Sequence, residues 1–259
     1  ARQAEAERIW RRLLAARPTD PLVTTQVADL FRHAGFSAQA LELYEKAVEL
    51  APGSPQYREY LGEYYHILKR TDDALATWRQ IAAGKLRTAD NLARLAEVLA
   101  QFGYLAEAQP EIAAACELAP KDFALHLKAA DLQIRGEKYE AALVSLTKTA
   151  QLAQNDEERE AVLAQQIKTY TFQNKLADLA AGLDARLAAD GSDSQAWYLL
   201  ARYREALRQW PEASRAIGEA LKLRASDIPS LAAAARIAEQ AGDLAVSADY
   251  SRKLAVVDR

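Results

Sequence analysis

The sequence predicts an all-α protein that is assembled from repeated pairs of antiparallel helices. Half of the 259 residues are apolar, and Ala, Leu, Glu, Gln and Arg, all strong helix formers, dominate the composition, whereas Gly and Pro number only 10 and 8. A chain of this length and apolar content can bury a large core. The second observation is a period of 34 residues, which is typical of helical repeat proteins.

The period divides the chain into segments of similar pattern. Segment starts at Pro21, Pro55, Ala89 and Phe123 are 34 residues apart, and the spacing resumes after a polar insertion, residues 154–159. We expect one continuous array of about seven and a half repeats, and the absence of any Met suggests a fragment of a longer protein. The predicted units are a second helix in 1–20, the repeats 21–54, 55–88, 89–122 and 123–159, a degenerate repeat 160–193, and the repeats 194–227 and 228–259.

Each repeat except the degenerate one carries a small residue where its two helices are expected to cross. Only a small side chain allows the helix axes to approach to about 8–10 Å. Gly35 can take the left-handed conformation that ends a first helix, and Pro52 ends a second helix. The predicted crossing residues are Ala28, Gly62, Ala96, Ala130, Ala201 and Ala235.

The residue pattern within a repeat resembles that of the tetratricopeptide repeat (TPR) family, in a bacterial-type array. The resemblance covers essentially the whole chain. It implies a right-handed α-solenoid in which the first helix of each pair, the A helix, lines a concave groove and the second, the B helix, lies behind it. It also implies binding of a peptide or protein segment. In the first repeat the pattern consists of Val27, Ala28 and Phe31 on the A helix and Ala40, Tyr44, Ala47 and Pro52 on the B helix.

Composition and motifs argue against several other functions. The net charge of −3 does not favour nucleic-acid binding. No stretch reaches the roughly 20 apolar residues that span a bilayer, so we expect no membrane insertion. No catalytic or cofactor-binding motif is present, so we expect neither an enzyme nor a cofactor, unless chemistry lies on a further domain. The sequence leaves the compartment open between bacterial cytoplasm and periplasm.

The histidines and the single cysteine give only weak candidate sites. His33 and His66 are 33 residues apart and could meet on adjacent A helices near Glu63 as a metal pair, although ordinary surface histidines are the favoured interpretation. Cys116 stands next to a predicted core position, which favours a buried apolar role over a reactive thiol.

The strongest candidate binding site is the groove face of the A helices. The resemblance implies that the second, fifth, ninth and twelfth places of each repeat point into the groove. The ninth places are acidic in the first four repeats and basic in the last three, and Glu59, Asp90 and the aromatic Tyr60 add to the N-terminal half. In order, the ninth places are Asp29, Glu63, Glu97, Asp131, Lys168, Arg202 and Arg236.

This charge pattern allows three interpretations. Carboxylates in a cleft focus a negative potential, which favours a protein scaffold that binds a basic peptide or protein segment. The alternative function is a periplasmic scaffold of a bacterial exopolysaccharide export system, which would bind a cationic polysaccharide or a polymer-modifying enzyme. In the purely structural interpretation, the charges balance one another from repeat to repeat.

Overall fold

The structure, a computed structural model, describes residues 2–257, with side chains from residue 4 onward. The outermost residues of the predicted units 1–20 and 228–259 lie outside it. Within the described range the chain forms fifteen α-helices, two short 3₁₀ turns and no strand, which confirms the all-α prediction. The helices are α1 (Arg2–Ala16), α2 (Pro21–His33), α3 (Ser37–Leu50), α4 (Pro55–Ile67), α5 (Thr71–Arg79), α6 (Ala89–Gln101), α7 (Leu105–Leu118), α8 (Phe123–Arg135), α9 (Tyr139–Ala150), α10 (Asp156–Phe172), α11 (Leu176–Ala189), α12 (Ser194–Ala206), α13 (Trp210–Leu223), α14 (Ile228–Gln240) and α15 (Leu244–Val257).

The chain divides into two compact units. Unit 1 is Ala1–Gly136 and contains α1–α8, and unit 2 is Glu137–Arg259 and contains α9–α15. The even-numbered helices are the A helices, and α3 and the odd-numbered helices after it are the B helices. The boundary falls inside the predicted repeat 123–159, because α8 belongs to unit 1 and α9 to unit 2. One continuous array with the boundaries given above therefore stays a prediction.

Six of the seven A helices begin at the residue where the period places a segment start. Their beginnings are fixed locally: Asp122, for example, accepts a hydrogen bond from the backbone N–H of Leu125 at 3.1 Å, which satisfies a donor that has no partner within the helix. The exception is α10, which begins at Asp156 and not near Glu160. Four residues of the expected insertion, 156–159, thus form the first turn of this helix.

Unit 1 is held together by small residues that face large ones across each helix pair. Ala28 and Ala96 are fully buried. Gly62 on α4 lies directly against Trp78 of α5, whose indole is fully buried and stacks on Phe102 with ring centroids 4.8 Å apart. The short helix α5 ends at Arg79 and continues in the 3₁₀ turns Gln80–Ala82 and Gly84–Leu86.

Unit 2 has its own core, in which small side chains again occupy the crossings. Ala180, Ala201, Ala213 and Ala220 are fully buried, and Ile217 and Leu200 fill the space between their helices. The A helices α10, α12 and α14 lie side by side, so that their polar faces can exchange ion pairs.

Candidate functional site

In unit 1 the predicted carboxylates are bridged by basic side chains of neighbouring A helices. Arg32 lies between Asp29 on its own helix, with Nη2 and Oδ1 3.2 Å apart, and Glu63 on α4, with Nη1 and Oε1 3.5 Å apart. Asp29 also accepts a hydrogen bond from the Tyr44 hydroxyl. Burial, and secondarily this hydrogen bond, raise the pKa of Tyr44. Arg32 therefore neutralises the N-terminal end of the predicted acidic row.

Two further ion pairs continue along the A helices of unit 1. Arg94 of α6 makes a two-pronged contact with Glu59 of α4, in which Nη2 donates to Oε2 at 2.9 Å. The hydrogen bond to Glu59 raises the pKa of Arg94. Lys128 of α8 lies 2.5 Å from Glu97 of α6, and both side chains are about half exposed. Consecutive A helices from α2 to α8 are thus linked by one ion pair each.

These contacts agree with the structural interpretation of the charge pattern, in which charges balance one another from repeat to repeat. Arg32, Arg94 and Lys128 lie among the carboxylates of unit 1. The sequence offset between acidic and basic residues could have predicted these ion pairs, whereas the pattern of ninth places alone could not. Arg32 and Glu63 are 31 residues apart, as are Glu97 and Lys128, and this offset is one helix turn short of the repeat, so it places both members on facing A helices.

A pocket of about 490 Å³ opens on the A helices α4, α6 and α8. Its charged lining consists of three carboxylates and two cations. Asp90 is exposed and forms no ion pair among the described residues. Tyr60 does not line this pocket; its half-buried side chain accepts a hydrogen bond from the Gln56 amide. The lining residues are Glu59, Asp90, Asn91, Ala93, Arg94, Glu97, Val98, Gln101, Leu125 and Lys128.

In unit 2 the predicted basic residues Arg202 and Arg236 belong to one ion-pair network, of which Arg202 and Glu205 are the buried members. Arg202 contacts Glu160 of α10, donates to the Tyr198 hydroxyl at 2.9 Å and lies 3.0 Å from Glu205. Glu205 receives two hydrogen bonds from Arg236 of α14, at 2.6 and 3.0 Å. The side chains of Arg202 and Glu205 are each only 11% exposed. Both arginines are therefore already paired with carboxylates, although the Arg236 side chain is 39% exposed.

The remaining predicted site residues do not line the pocket on α4, α6 and α8. Lys168 is exposed on α10, and Asp131 is half-buried on α8. The ring of His66 packs among aromatic side chains, with Nδ1 3.3 Å from the Tyr104 hydroxyl. In the range 2–257 no group of three or more His, Cys, Asp or Glu side chains could hold a metal ion. Cys116 is half-buried, and burial raises the pKa of its thiol.

None of the described helices is both long and apolar enough to cross a membrane. Helix pairs that recur at intervals of about 34 residues, with small buried residues at most of their crossings, give the chain the architecture of a TPR-type helical repeat protein.

Comparison with known proteins assigns neither a family nor a function. No protein-family model matches the chain, and no curated protein matches it. Among similar solved structures, MamA from Desulfovibrio magneticus RS-1 is 16% identical, over 66% of this chain and 95% of its own, with a TM-score of 0.35.

Two other similar structures cover more of the chain. YrrB, described as a TPR protein with an unusual peptide-binding site, is 15% identical over 86% of this chain and 95% of its own, with a TM-score of 0.36. The C-terminal part of a TPR protein from Cytophaga hutchinsonii is 13% identical over 90% and 95%, with a TM-score of 0.42. At such low similarity, the assignment of the architecture rests on the helix pattern itself.

Proposed function

We propose that the chain is a non-catalytic scaffold for protein–protein interactions and that the pocket on α4, α6 and α8 takes a basic side chain of a partner segment. The observation that carries this proposal is the charge of the pocket. Glu59, Asp90 and Glu97 outnumber the two cations Arg94 and Lys128 in its lining, and Asp90 is unpaired. A ligand ammonium or guanidinium group supplies the missing positive charge.

The ion pair between Glu97 and Lys128 is exposed, so its replacement by a ligand cation costs little free energy. Glu97 and Lys128 are about half exposed, and an exposed pair of this kind contributes only about 0–1 kcal/mol. A ligand cation can therefore replace Lys128 at Glu97 at little cost. The apolar side chains of Ala93, Val98 and Leu125 line the same pocket and can pack against the methylene groups of a Lys or Arg side chain.

The test starts with a random peptide library from which peptides that bind the full chain are selected. We expect enrichment of sequences with Lys or Arg, and we expect one selected peptide to lose about tenfold or more in affinity when Asp90→Asn and Glu97→Gln are combined. Neutral substitutions are preferable to charge reversal, because a lysine at position 97 would face Lys128 across the pocket. Fluorescence anisotropy gives the dissociation constants.

The matched control removes the same number of charges from B helices. Glu49 on α3 and Glu117 on α7 are exposed and form no ion pair among the described residues. Glu49→Gln combined with Glu117→Gln should leave the affinity unchanged. The proposal would be contradicted if both double variants weakened the affinity for the peptide equally, or if the selected peptides were not enriched in Lys or Arg. Chitosan oligosaccharides serve as the comparison ligand, and a preference for them would favour the polysaccharide scaffold instead.

A further inference from the structure

A pocket of about 300 Å³ opens in unit 2 between the A helices α10, α12 and α14 and the turn that joins α12 to α13. Ligand pockets in proteins are usually larger, so this volume suits a single side chain or a small molecule. The lining residues are Ala164, Ile167, Arg202, Glu205, Ala206, Arg208, Trp210 and Gln240.

The carboxylate in this lining already has two basic partners. Glu205 lies 3.0 Å from Nε of Arg202 and accepts two hydrogen bonds from Arg236, at 2.6 and 3.0 Å. Arg202 also contacts Glu160 of α10. Because the side chains of Glu205 and Arg202 are each only 11% exposed and are already paired, the binding capacity of the pocket depends on its other polar groups.

These other polar groups are hydrogen-bond donors that have no side-chain partner within residues 2–257. Arg208, in the turn after α12, is exposed and forms no ion pair there. The half-buried Trp210 carries an indole N–H, which can donate but not accept. The exposed amide of Gln240 adds a donor from α14. The unpaired groups of the pocket therefore carry one positive charge and no negative charge.

The indole of Trp210 shows that an acceptor is missing at this place. An indole N–H that is withdrawn from water usually has an acceptor. Trp197 in the same unit is also half-buried, and its Nε1 donates to the carbonyl oxygen of Gly191 at 2.9 Å. Trp210 has no such acceptor, and the unpaired cation Arg208 lines the same pocket two residues earlier.

We propose that this pocket of unit 2 binds the carboxylate of an acidic side chain in a partner segment. The carboxylate oxygens accept from the guanidinium group of Arg208 and from the indole N–H of Trp210. The methylene groups of a glutamate pack against Ile167 and Ala206, which line the same pocket. Recognition of the carboxylate is independent of the unit 1 pocket. Only the origin of the carboxylate in a partner chain rests on the proposed scaffold function.

The experiment follows the indole Nε1–H signal of Trp210 by NMR in the full chain at constant ionic strength. The probe is N-acetyl-glutamate methylamide, and the glutamine analogue is the neutral control. We expect a saturable shift with a dissociation constant on the order of 1 mM for the glutamate probe, and binding of the glutamine analogue that is about tenfold weaker or less. Absence of a saturable shift up to about 20 mM probe, or equal binding of the two probes, overturns the proposal.

Free glutarate, in a third arm, distinguishes a partner side chain from a small dicarboxylate. We expect glutarate to bind no more tightly than the glutamate probe, because the pocket accommodates one carboxylate. Binding of glutarate that is about tenfold tighter would identify a small dicarboxylate as the ligand and would overturn the assignment to a partner segment.

The substitution Arg208→Gln tests the role of the guanidinium group. It should weaken the binding of the glutamate probe by about tenfold, since a charge-assisted hydrogen bond is lost. The control is Arg215→Gln on α13, which removes an exposed arginine without an ion pair among the described residues and should leave the binding unchanged. Unchanged binding in Arg208→Gln, or equal weakening in Arg215→Gln, overturns the proposal.

The unit 1 double variant, Asp90→Asn with Glu97→Gln, separates this proposal from the proposed function. It should leave the titration of the Trp210 signal unchanged, because neither residue lines the unit 2 pocket. A failure of basic peptides to bind unit 1 would therefore leave the carboxylate titration intact, and a failure of the carboxylate titration would leave peptide binding to unit 1 intact.

Discussion

The two units use the same kind of ion pair in different surroundings. Glu97–Lys128 in unit 1 and Glu205–Arg236 in unit 2 both join consecutive A helices at an offset of 31 residues. In unit 1 the two side chains are 52% and 48% exposed. In unit 2 Arg236 is 39% exposed, but Glu205 is only 11% exposed and bonds to a second arginine, the buried Arg202. The sequence offset is therefore the same, but the environment of the charges is not.

This difference in exposure determines how much free energy is lost when one member of an ion pair is removed or replaced. An exposed ion pair contributes little, because water and salt screen both charges. Removal of one member of a buried network leaves the remaining charge without compensation in a poorly solvated place. The proposed function therefore involves the exposed ion pairs of unit 1, and we expect the network around Arg202 in unit 2 to contribute to stability.

The largest expected effect follows from breaking the buried network. Glu205→Ala leaves the partly exposed Arg236 without its carboxylate and removes one of the two carboxylates that contact the buried Arg202, so we expect the free energy of unfolding to fall by about 1.5–3 kcal/mol. Urea denaturation followed by circular dichroism measures it. Glu97→Ala is the matched control in unit 1 and should cost about 1 kcal/mol or less. Similar losses in the two variants would remove the distinction between the units.

The second prediction concerns the helix crossings, where the units also differ. A Cβ atom at Gly62 would lie 2.2 Å from Nε1 of the buried Trp78, so Gly62→Ala should destabilise unit 1 by about 1–3 kcal/mol. At an unobstructed helix position the same change stabilises by about 0.5–1 kcal/mol. Ala201→Gly in unit 2 should cost about that amount. A stabilised Gly62→Ala variant, measured by thermal unfolding, would show that the indole can move.

The third prediction compares two buried tyrosines at high pH. Burial raises the pKa of Tyr203 in unit 2 to about 12, with a smaller contribution from Tyr170. Burial, followed by a hydrogen bond to Glu45, raises the pKa of Tyr65 in unit 1 to about 12. Because the folded state favours the neutral hydroxyl, the stabilisation is complete below pH 10 and is lost as the pH rises from 10 through 12.

Absorbance titration and urea unfolding between pH 9 and pH 11 measure these effects. Tyr203 should account for about 1.4 kcal/mol of the loss at pH 11, so Tyr203→Phe should flatten the decline by that amount. Glu45→Gln should lower the pKa of Tyr65 and leave that of Tyr203 unchanged, because only Tyr65 bonds to this carboxylate. An unchanged pKa of Tyr65 in Glu45→Gln would mean that burial alone raises it.

The sequence predicted the helices better than it predicted the site. The 34-residue spacing located most A-helix starts, since a Pro or an N-cap residue marks them locally. It missed the start of α10, although Asn155 followed by Glu158 three residues later is a capping pattern, and in the structure Asn155 accepts from the Glu158 N–H at 2.8 Å.

The candidate site was predicted only in part, because charges were considered by repeat position and not across helices. The carboxylates Glu59, Asp90 and Glu97 do line one pocket. The network around Arg202 could not be inferred in full, since Glu160 pairs across an offset of 42 residues that the irregular fifth repeat produces.

The smallest expected effect is the coupling between Glu97 and Lys128. In a double-mutant cycle of Glu97→Gln and Lys128→Gln, we expect a coupling energy of at most about 0.5 kcal/mol in the free energy of unfolding, and we expect salt at about 1 M to abolish it, because both side chains are about half exposed. The same cycle on Glu205 and Arg236 should give a larger coupling that salt changes little. A coupling above about 1 kcal/mol at Glu97 would mean that Lys128 is held firmly in place. A ligand cation could then not replace Lys128 at low cost, and Asp90 would be the only open carboxylate among the charged residues that line the pocket.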